Sequence, residues 1–405
     1  MIRILTGFFQ IVKREAAYIL KDRNIITIVL LSPLFYAFFY CSIYMYKAEK
    51  DVDVVVVDMD HSKSTQEFIK DINAHSMIKV VKVTGNFEEA KQDIYSSAAN
   101  AIVYFDVDFE KSLKKGKGAD VKIYLNTTRF LVSNDINKAI NDIALEKGVE
   151  SRIKFFESGG YSFKQARQAS DPLGVDLRSL FNTTDSYGDF MISGIIILIL
   201  QQTLLIGLGE SVAKEREFHT VKDLYHTANG STWALLFGKG FLYFVLYCGY
   251  AFFFFTFIFN MYSQRMDGSI PALVLTTALL LIDDMFMSIF IASFFKRKII
   301  SLQFFVLTTY PLFLFSGYSW PSMSMPAFVR GLSMLFPSTH YLNSFVRIAQ
   351  MGAGFKEVLP EIQSLLIIAV IGLTLTIWRL KFLVSKEDGI EADTVFHKIG
   401  KMLKA

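Results

Sequence analysis

Long apolar runs separated by short charged segments dominate the chain outside one extended polar region. Each run is near the ~20 residues that a helix needs to cross the ~30 Å hydrocarbon core of a bilayer. The pattern predicts an α-helical membrane protein with six transmembrane helices. The apolar runs cover residues 24–46, 190–209, 233–262, 271–295, 299–319 and 362–383.

The polar region lies between the first and second apolar runs, at residues 47–188. Valine-rich segments such as Val52–Asp58 and Ile78–Thr84 alternate there with amphipathic segments such as Ser64–Asn73. Such alternation is typical of a compact α/β domain of ordinary size. We therefore expect residues 47–188 to form an α/β domain inserted between spans one and two.

Residues 1–23 carry apolar side chains at helical spacing against basic ones such as Lys13 and Arg14. This pattern predicts an amphipathic helix lying in the membrane interface. A cleaved signal peptide would also explain an N-terminal apolar run. However, the run is long, and bulky residues follow it where a cleavage site needs small ones. We expect residues 24–46 to remain as the first transmembrane helix.

Basic residues gather at alternate ends of the apolar runs, for example at Lys296–Lys298 and in the tail of residues 384–405. Positive charge marks the cytoplasmic side of membrane proteins. The bias predicts a multi-pass protein with both termini in the cytoplasm, residues 1–23 at its inner surface and residues 47–188 outside the cytoplasm.

Composition narrows the function further. The chain has 405 residues, of which 52% are hydrophobic, and a formal net charge of +4. This charge is too small to indicate nucleic acid as a partner, whereas membrane lipids are an expected one. The sequence shows no phosphate-binding loop, no histidine spacing typical of a metal site and no catalytic triad pattern. We expect a protein that is not an enzyme, with no catalytic residue, cofactor or metal of its own.

A charged segment between the second and third runs, Gly209 to Lys239, reads GESVAKEREFHTVKDLYHTANGSTWALLFGK. It has two interpretations. The first is an ordinary charged loop. The second is a helix at residues 210–229 that docks a partner and passes force to the spans. In both, charged side chains such as Lys214, Glu215 and Arg216 are expected to stay in water.

The segment from Ser316 to Gly354 is apolar but interrupted by Pro321, Pro326 and Pro337. No part of it is a continuous span. It predicts two short helices within residues 320–352 that dip back into the outer leaflet. Irregular backbone is tolerated there only when it is buried in protein or lines a cavity.

Polar residues also occur within the predicted spans. Asp283 and Asp284 lie in the fourth run, and Gln201 and Gln202 lie in the second. Carboxylates at that depth are costly unless paired, protonated or hydrated. One interpretation is a translocation path that accepts a cationic substrate. The other is that neighbouring helices satisfy these groups, as glutamines often do.

The charged segment resembles the cytoplasmic coupling segment of type-2 ABC exporter permeases. The shared features are the Glu215-Arg216-Glu217 cluster, Thr220, a leucine-rich turn at Leu224 and Gly238-Lys239, although His219 stands where the family usually has glycine. The outer domain residues Asp106, Phe109, Leu113 and Gly116 are similar to those of large-domain, multidrug-efflux-like members. The resemblance covers essentially the whole chain.

The resemblance implies a role for each of these regions. The translocation-path candidates remain Gln201, Gln202, Asp283 and Asp284. The residues expected to couple to an ATPase are Glu210, Glu215, Arg216, Glu217, Thr220, Leu224 and Lys239. The residues expected to form an outer gate are Ser316, Gly317, Pro321, Met325, Pro326, Pro337 and Arg347.

The same resemblance implies the partners and the activity. Separate ABC ATPase subunits would carry ATP and Mg, and a second permease subunit, identical or closely related, would complete the dimer. The chain would lie in a bacterial inner membrane and move a drug-like, lipid or other amphiphilic substrate out of the cytoplasm or inner leaflet. The large outer domain suggests a periplasmic adaptor protein as a further partner.

The alternative function is a membrane-anchored receptor or scaffold whose outer domain binds a ligand or an adaptor. A receptor normally needs an output domain, whereas this chain offers the cytoplasm only short basic segments and a tail. A transport subunit needs only that surface and a partner.

Overall fold

The computed structural model describes residues 2–47, 49–171, 178, 180–182 and 186–402, with side chains described from residue 3 to residue 385 within those ranges. The chain forms two compact units. Residues Met1–Met45 and Leu180–Ala405 make the first, and Tyr46–Ser179 make the second.

The first unit is helical. It contains six helices that are long and apolar enough to cross a membrane, counted over the described residues. The six predicted spans are therefore present. In chain order, the helices of this unit are α1 (Ile2–Lys21), α2 (Arg23–Ile43), then, after the second unit, α8 (Tyr187–Glu217), α9 (Val221–Thr227), α10 (Thr232–Met261), α11 (Ile270–Ala292), α12 (Lys298–Phe315), α13 (Ala327–Ser333), α14 (Pro337–Phe345) and α15 (Leu359–Met402).

Helix α8 is the central helix of this unit. The most apolar stretch of 18 residues in α8 is 83% buried, whereas the corresponding stretch of α15 is only 22% buried. Small residues let neighbours approach α8 closely. A Cβ atom on Gly207 would lie 2.3 Å from Val29 of α2, and one on Gly209 would lie 2.4 Å from the Phe305 ring of α12. Helices α2, α10, α11 and α12 pack on α8, and α15 packs on α11.

One end of the helix bundle carries most of its charge. The last turns of α8 and α11, the first turns of α10 and α12, and the helices α1 and α9 all meet there. We call this the charged end. The opposite end carries α13 and α14, in the range where two short helices were predicted, and their position relative to a membrane stays a prediction.

The second unit is an α/β domain, as the alternation of segments predicted. Its strands are ordered β2-β1-β3-β4, with β1 parallel to both neighbours and β4 antiparallel to β3. One face of the sheet packs Val54, Val56 and Phe105 against helices, and the other packs Val55 and Val57. Its elements are β1 (Val52–Asp58), α3 (Lys63–Ala74), β2 (Ile78–Thr84), α4 (Phe87–Tyr95), β3 (Ala101–Phe105), α5 (Phe109–Lys114), β4 (Val121–Leu125), α6 (Phe130–Ser158) and α7 (Phe163–Ser170).

The predicted coupling helix at residues 210–229 differs in form. Glu210–Glu217 are the last turns of α8, and only Val221–Thr227 form a separate helix. The chain reverses at His219, which has a φ of +55°. In these last turns Glu210, Glu215 and Glu217 each contact a residue of another helix.

Candidate functional site

Four charged residues, of which all but Arg14 are buried, form an ionic cluster at the charged end: Arg14 and Glu15 of α1, Glu215 of α8 and Lys239 of α10. The Lys239 Nζ atom lies 2.6 Å from Glu15 Oε1 and 3.2 Å from Glu215 Oε1. Arg14 Nη2 lies 2.8 Å from Glu215 Oε2. The side chain of Lys239 is only 2% exposed and that of Glu15 only 1%. This cluster joins α1 to α8 and α10, which lie more than 200 residues further along the chain.

Hydroxyl groups complete the hydrogen bonding of the two carboxylates. Ser211 Oγ donates to Glu15 Oε2 over 2.7 Å, and Thr220 Oγ1 donates to Glu215 Oε2. A buried ion pair is tolerated when its remaining lone pairs are satisfied in this way. Because the two carboxylates and two cations balance, the cluster has no net charge.

The sequence of α1 explains why Glu15 points inward. Ile11, Glu15 and Ile19 are spaced four residues apart and are all buried, so they share one face of the helix. This face packs on α10 at Gly238, where a Cβ atom would lie 2.8 Å from that of Ile11. At Gly7 a Cβ atom would lie 2.6 Å from the Ala228 carbonyl oxygen. The two glycines therefore allow the close approach that brings Glu15 to Lys239.

The end of α8 is fixed to other spans as well. Glu217 Oε2 accepts a hydrogen bond of 2.7 Å from the backbone N–H of Lys298, at the start of α12. The Lys298 ammonium lies 3.4 Å from Glu210 Oε1. Arg216 donates to the Ser293 carbonyl oxygen beyond α11, which also accepts from Arg379 of α15. A movement of this end would reach α1, α10, α12 and α15 together.

Tyr18 of α1 lies beside this network. The Lys214 ammonium sits over its ring, 3.3 Å from the ring centroid, which is a cation–π contact. Burial, with the neighbouring Glu210 carboxylate adding to it, raises the pKa of the Tyr18 hydroxyl well above its usual value. Tyr18 therefore stays neutral at physiological pH and adds no charge to the network.

An exposed surface follows the end of α8 in the chain. Phe218, His219, Asp223 and His226 are exposed, and we call them the exposed face. The Phe218 side chain is 60% exposed. The opposite side of α9 is buried through Val221 and Leu224, so the exposed face is held in place. Exposed aromatic residues on a fixed helix are typical of protein interfaces.

The structure places the predicted coupling residues in two groups. Glu215, Thr220 and Lys239 belong to the ionic cluster or bond to it, and the remaining predicted residues contact neighbouring helices. The expectation that Glu215 stays in water is wrong, because this residue is only 7% exposed. Lys239 supplies the charge that allows this burial.

Sequence reasoning did not single out Glu15 or Phe218. A signal for Glu15 was present, because it interrupts the apolar face of α1 at the spacing of Ile11 and Ile19. An acidic residue on the apolar face of a basic helix requires a buried cation, and Lys239 is that cation.

The predicted outer-gate residues are spread over the opposite end. Arg347 lies 2.6 Å from Glu361 Oε1 of α15 and donates to the Glu357 carbonyl oxygen. Gly317 has a φ of +85°, and Pro337 begins α14. Ser316 and Met325 are buried, whereas Pro321 and Pro326 are exposed. Their role as a gate stays a prediction.

Of the predicted path residues, two contact each other. Gln201 Nε2 donates to Asp284 Oδ1 over 3.1 Å, and this bond joins α8 to α11. Asp283 is 2% exposed, and neither of its carboxyl oxygens has a hydrogen-bond partner among the described residues. Gln202 is half-buried. Gln201 therefore links helices, and a role of the four residues in translocation stays a prediction.

Comparison with known proteins adds independent findings. Residues 23–378 match the family model described as ABC-2 family transporter protein. The chain is also 23% identical, over 396 residues, to the inner membrane transport permease YhhJ of Escherichia coli K12, covering 94% of this chain and 98% of the relative. The YhhJ permease of Shigella flexneri matches to the same extent.

Proposed function

Since the chain belongs to the ABC-2 family of transporter proteins, we propose that it is the membrane permease subunit of an ATP-driven exporter. Separate ABC ATPase subunits supply the energy, with ATP and Mg bound on those chains. The substrate is a drug-like molecule, a lipid or another amphiphile, which leaves the cytoplasm or the inner leaflet.

The observation that carries this proposal is the direct bond between the segment of the exposed face and the ionic cluster: Thr220, which lies between Phe218 and Asp223, donates to Glu215 Oε2. Phe218 and Asp223 offer a partner one aromatic and one charged contact. Beneath them, Glu215 is bonded to Arg14 and Lys239. A push on the exposed face is therefore transmitted to α1, α8 and α10 at once, without a flexible connection between them.

The topology follows from charge. Basic residues at the charged end support a cytoplasmic position for it, with both termini in the cytoplasm and the α/β domain outside. The protein then occupies a bacterial inner membrane as a multi-pass subunit, paired with a second permease subunit. The α/β domain is the candidate docking site for a periplasmic adaptor protein.

In this mechanism, ATP-driven closure of the ATPases moves α9 and the end of α8. The movement changes the distances between α8 and the helices packed on it. It thereby changes the access of the substrate to the opposite end of the bundle, where α13 and α14 lie. ATP and substrate each bind the two states with different free energies, which is what allows one to drive the other.

The test is association with an ABC ATPase, together with substrate-stimulated ATP turnover in nanodiscs. The double variant Phe218→Ala with Asp223→Lys changes only exposed side chains, unlike a change at the buried Glu215. The matched control is Phe328→Ala, which removes an aromatic residue that is 81% exposed at the opposite end.

We expect the double variant to lose the ATPase or its stimulated turnover, and the control to keep both. If the unchanged permease associates with no ABC ATPase, the proposed function is wrong. If the double variant binds and couples normally, the exposed face is not the docking surface.

A further inference from the structure

A cavity of about 350 Å³ lies at the charged end, between α2, α8 and α12. This volume is in the range of small-molecule sites. Its walls are polar towards the end of the bundle and apolar towards the spans. The lining residues are Asn24, Thr27, Ile28, Glu210, Lys298, Ile299 and Leu302.

Glu210 is the buried part of this lining, with a side chain that is only 3% exposed. One carboxylate oxygen, Oε1, lies 3.4 Å from the Lys298 ammonium. The other, Oε2, is buried and accepts no hydrogen bond among the described residues. A buried carboxylate oxygen without a donor is unfavourable, and a ligand that supplies an N–H donor relieves this cost.

The positive charge of Lys298 is not paired with the Glu210 carboxylate alone. Its ammonium also lies 3.7 Å from Asp22 Oδ2, so one cation is shared by two carboxylates. Among the described residues, the Lys214 ammonium makes no hydrogen bond to Glu210 and lies over the Tyr18 ring, 3.3 Å from its centroid. The lining therefore favours a positively charged ligand over a negatively charged one.

The apolar wall determines the rest of the ligand. Ile28, Ile299 and Leu302 line the side of the cavity that continues into the spans, and Ile299 is 53% exposed. Such a wall accepts a hydrocarbon or aromatic body, while the charged group stays near the end of the bundle. Amphiphilic cations take this orientation at a membrane interface.

We propose that this cavity binds an amphiphilic organic amine, with its ammonium group on Glu210 and its apolar body against Ile28, Ile299 and Leu302. The assignment rests on the proposed function, of which it names the substrate class. The cavity is then the site where the amine enters from the cytoplasmic side.

The test uses dansylcadaverine, a fluorescent aromatic body with a primary amine, and its N-acetylated derivative, which keeps the body and lacks the charge. Binding is measured by fluorescence to the full-length permease in nanodiscs of zwitterionic lipid, with empty nanodiscs subtracted. The permease should bind the amine at least about tenfold more tightly than the acetylated compound, given the strength of charge-assisted hydrogen bonds.

Three variants test the role of Glu210. Glu210→Gln should abolish the preference for the amine. Asn24→Asp adds a carboxylate to the exposed wall of the cavity and should increase the preference. Glu357→Gln, which removes an exposed carboxylate at the opposite end, should leave the preference unchanged.

Equal binding of the two compounds to the unchanged permease would overturn the proposal. A preference that persists in Glu210→Gln would do the same. If Glu210→Gln does not fold, the comparison of the two compounds and the Asn24→Asp variant still decide. The binding assay needs no ATPase, so the two proposals can fail separately. A permease that binds the amine but associates with no ABC ATPase would count against the proposed function alone. A permease that couples to an ATPase but does not bind the amine would count against this inference alone.

Discussion

Removal of the Lys239 charge should destabilise the protein more than removal of any single charge near it. In Lys239→Met the apolar stem is kept, but among the described residues Glu15 loses the cation paired with it and Glu215 keeps Arg14 alone. Breaking a buried ion pair by removing one partner costs about 3–5 kcal/mol, because the other charge stays buried. We expect a loss of this size in the free energy of unfolding.

Two further variants give losses in the free energy of unfolding with which the loss in Lys239→Met can be compared. Arg14 is 35% exposed, so its pair with Glu215 is screened by water and Arg14→Met should cost only about 1 kcal/mol or less. The double variant Glu15→Gln with Lys239→Met removes both partners of the shortest pair. It should be more stable than Lys239→Met alone, because no uncompensated charge remains on α1.

The assay is the free energy of unfolding of the purified permease in bicelles, measured by steric trapping for these three variants and for the single variant Glu15→Gln. Two results would refute the reasoning. One is an equal loss for Arg14→Met and Lys239→Met. The other is a double variant whose loss equals the sum of the two single losses, since that would show that Glu15 and Lys239 do not interact.

Three other predictions follow from the packing and the backbone. Gly238→Ala should force α1 away from α10 and lower ATPase-coupled turnover, whereas Gly249→Ala in the same helix, where the added Cβ meets open space, should leave turnover unchanged. Equal turnover of the two would contradict the close-contact argument. His219 has a backbone in the left-handed region, which glycine adopts without cost and a β-branched residue does not. His219→Gly should therefore keep or slightly raise the unfolding temperature, and His219→Val should lower the free energy of unfolding by about 1–2 kcal/mol. The reverse order would show that residue 219 does not have this backbone conformation. Gln201→Leu should cost about 1–3 kcal/mol in unfolding free energy by leaving the buried Asp284 carboxyl without its donor, and a neutral result would exclude that bond.

The six spans and the four strands were predictable because each follows from a local period in the sequence. Valine-rich strands such as Val52–Asp58 and Ile78–Thr84 begin and end in the structure at the predicted residues. Apolar runs of span length are similarly unambiguous, since no soluble fold requires them.

The ionic cluster was not predictable in the same way. Glu215 lies in a charged run, where local pattern favours exposure, yet it is buried by contacts with Arg14 and Lys239. Arg14 is 201 residues away in the chain, so no spacing in one sequence reveals the pair. The resemblance to the family pointed to this segment as important, but not to α1 as its partner.

The cavity at Glu210 was also beyond sequence reasoning. Its walls come from three helices, α2, α8 and α12, and Glu210 was expected to act only in coupling. Glu210 is distinguished by its carboxylate oxygen Oε2, which accepts no hydrogen bond among the described residues. This property is visible only in the three-dimensional structure.

The pairing of Glu15 with Lys239 also constrains how the protein is made. The two residues are 224 positions apart, so at about 5–20 residues per second the ribosome needs roughly 10–45 s to produce the second after the first. During that interval α1 has neither Gly238 to pack on nor a cation for Glu15. The nascent chain must keep the acidic side chain of Glu15 hydrated until α10, the third of the six long apolar helices, has been made. Docking of α1 therefore follows the synthesis of α10, although α1 is the first helix of the chain.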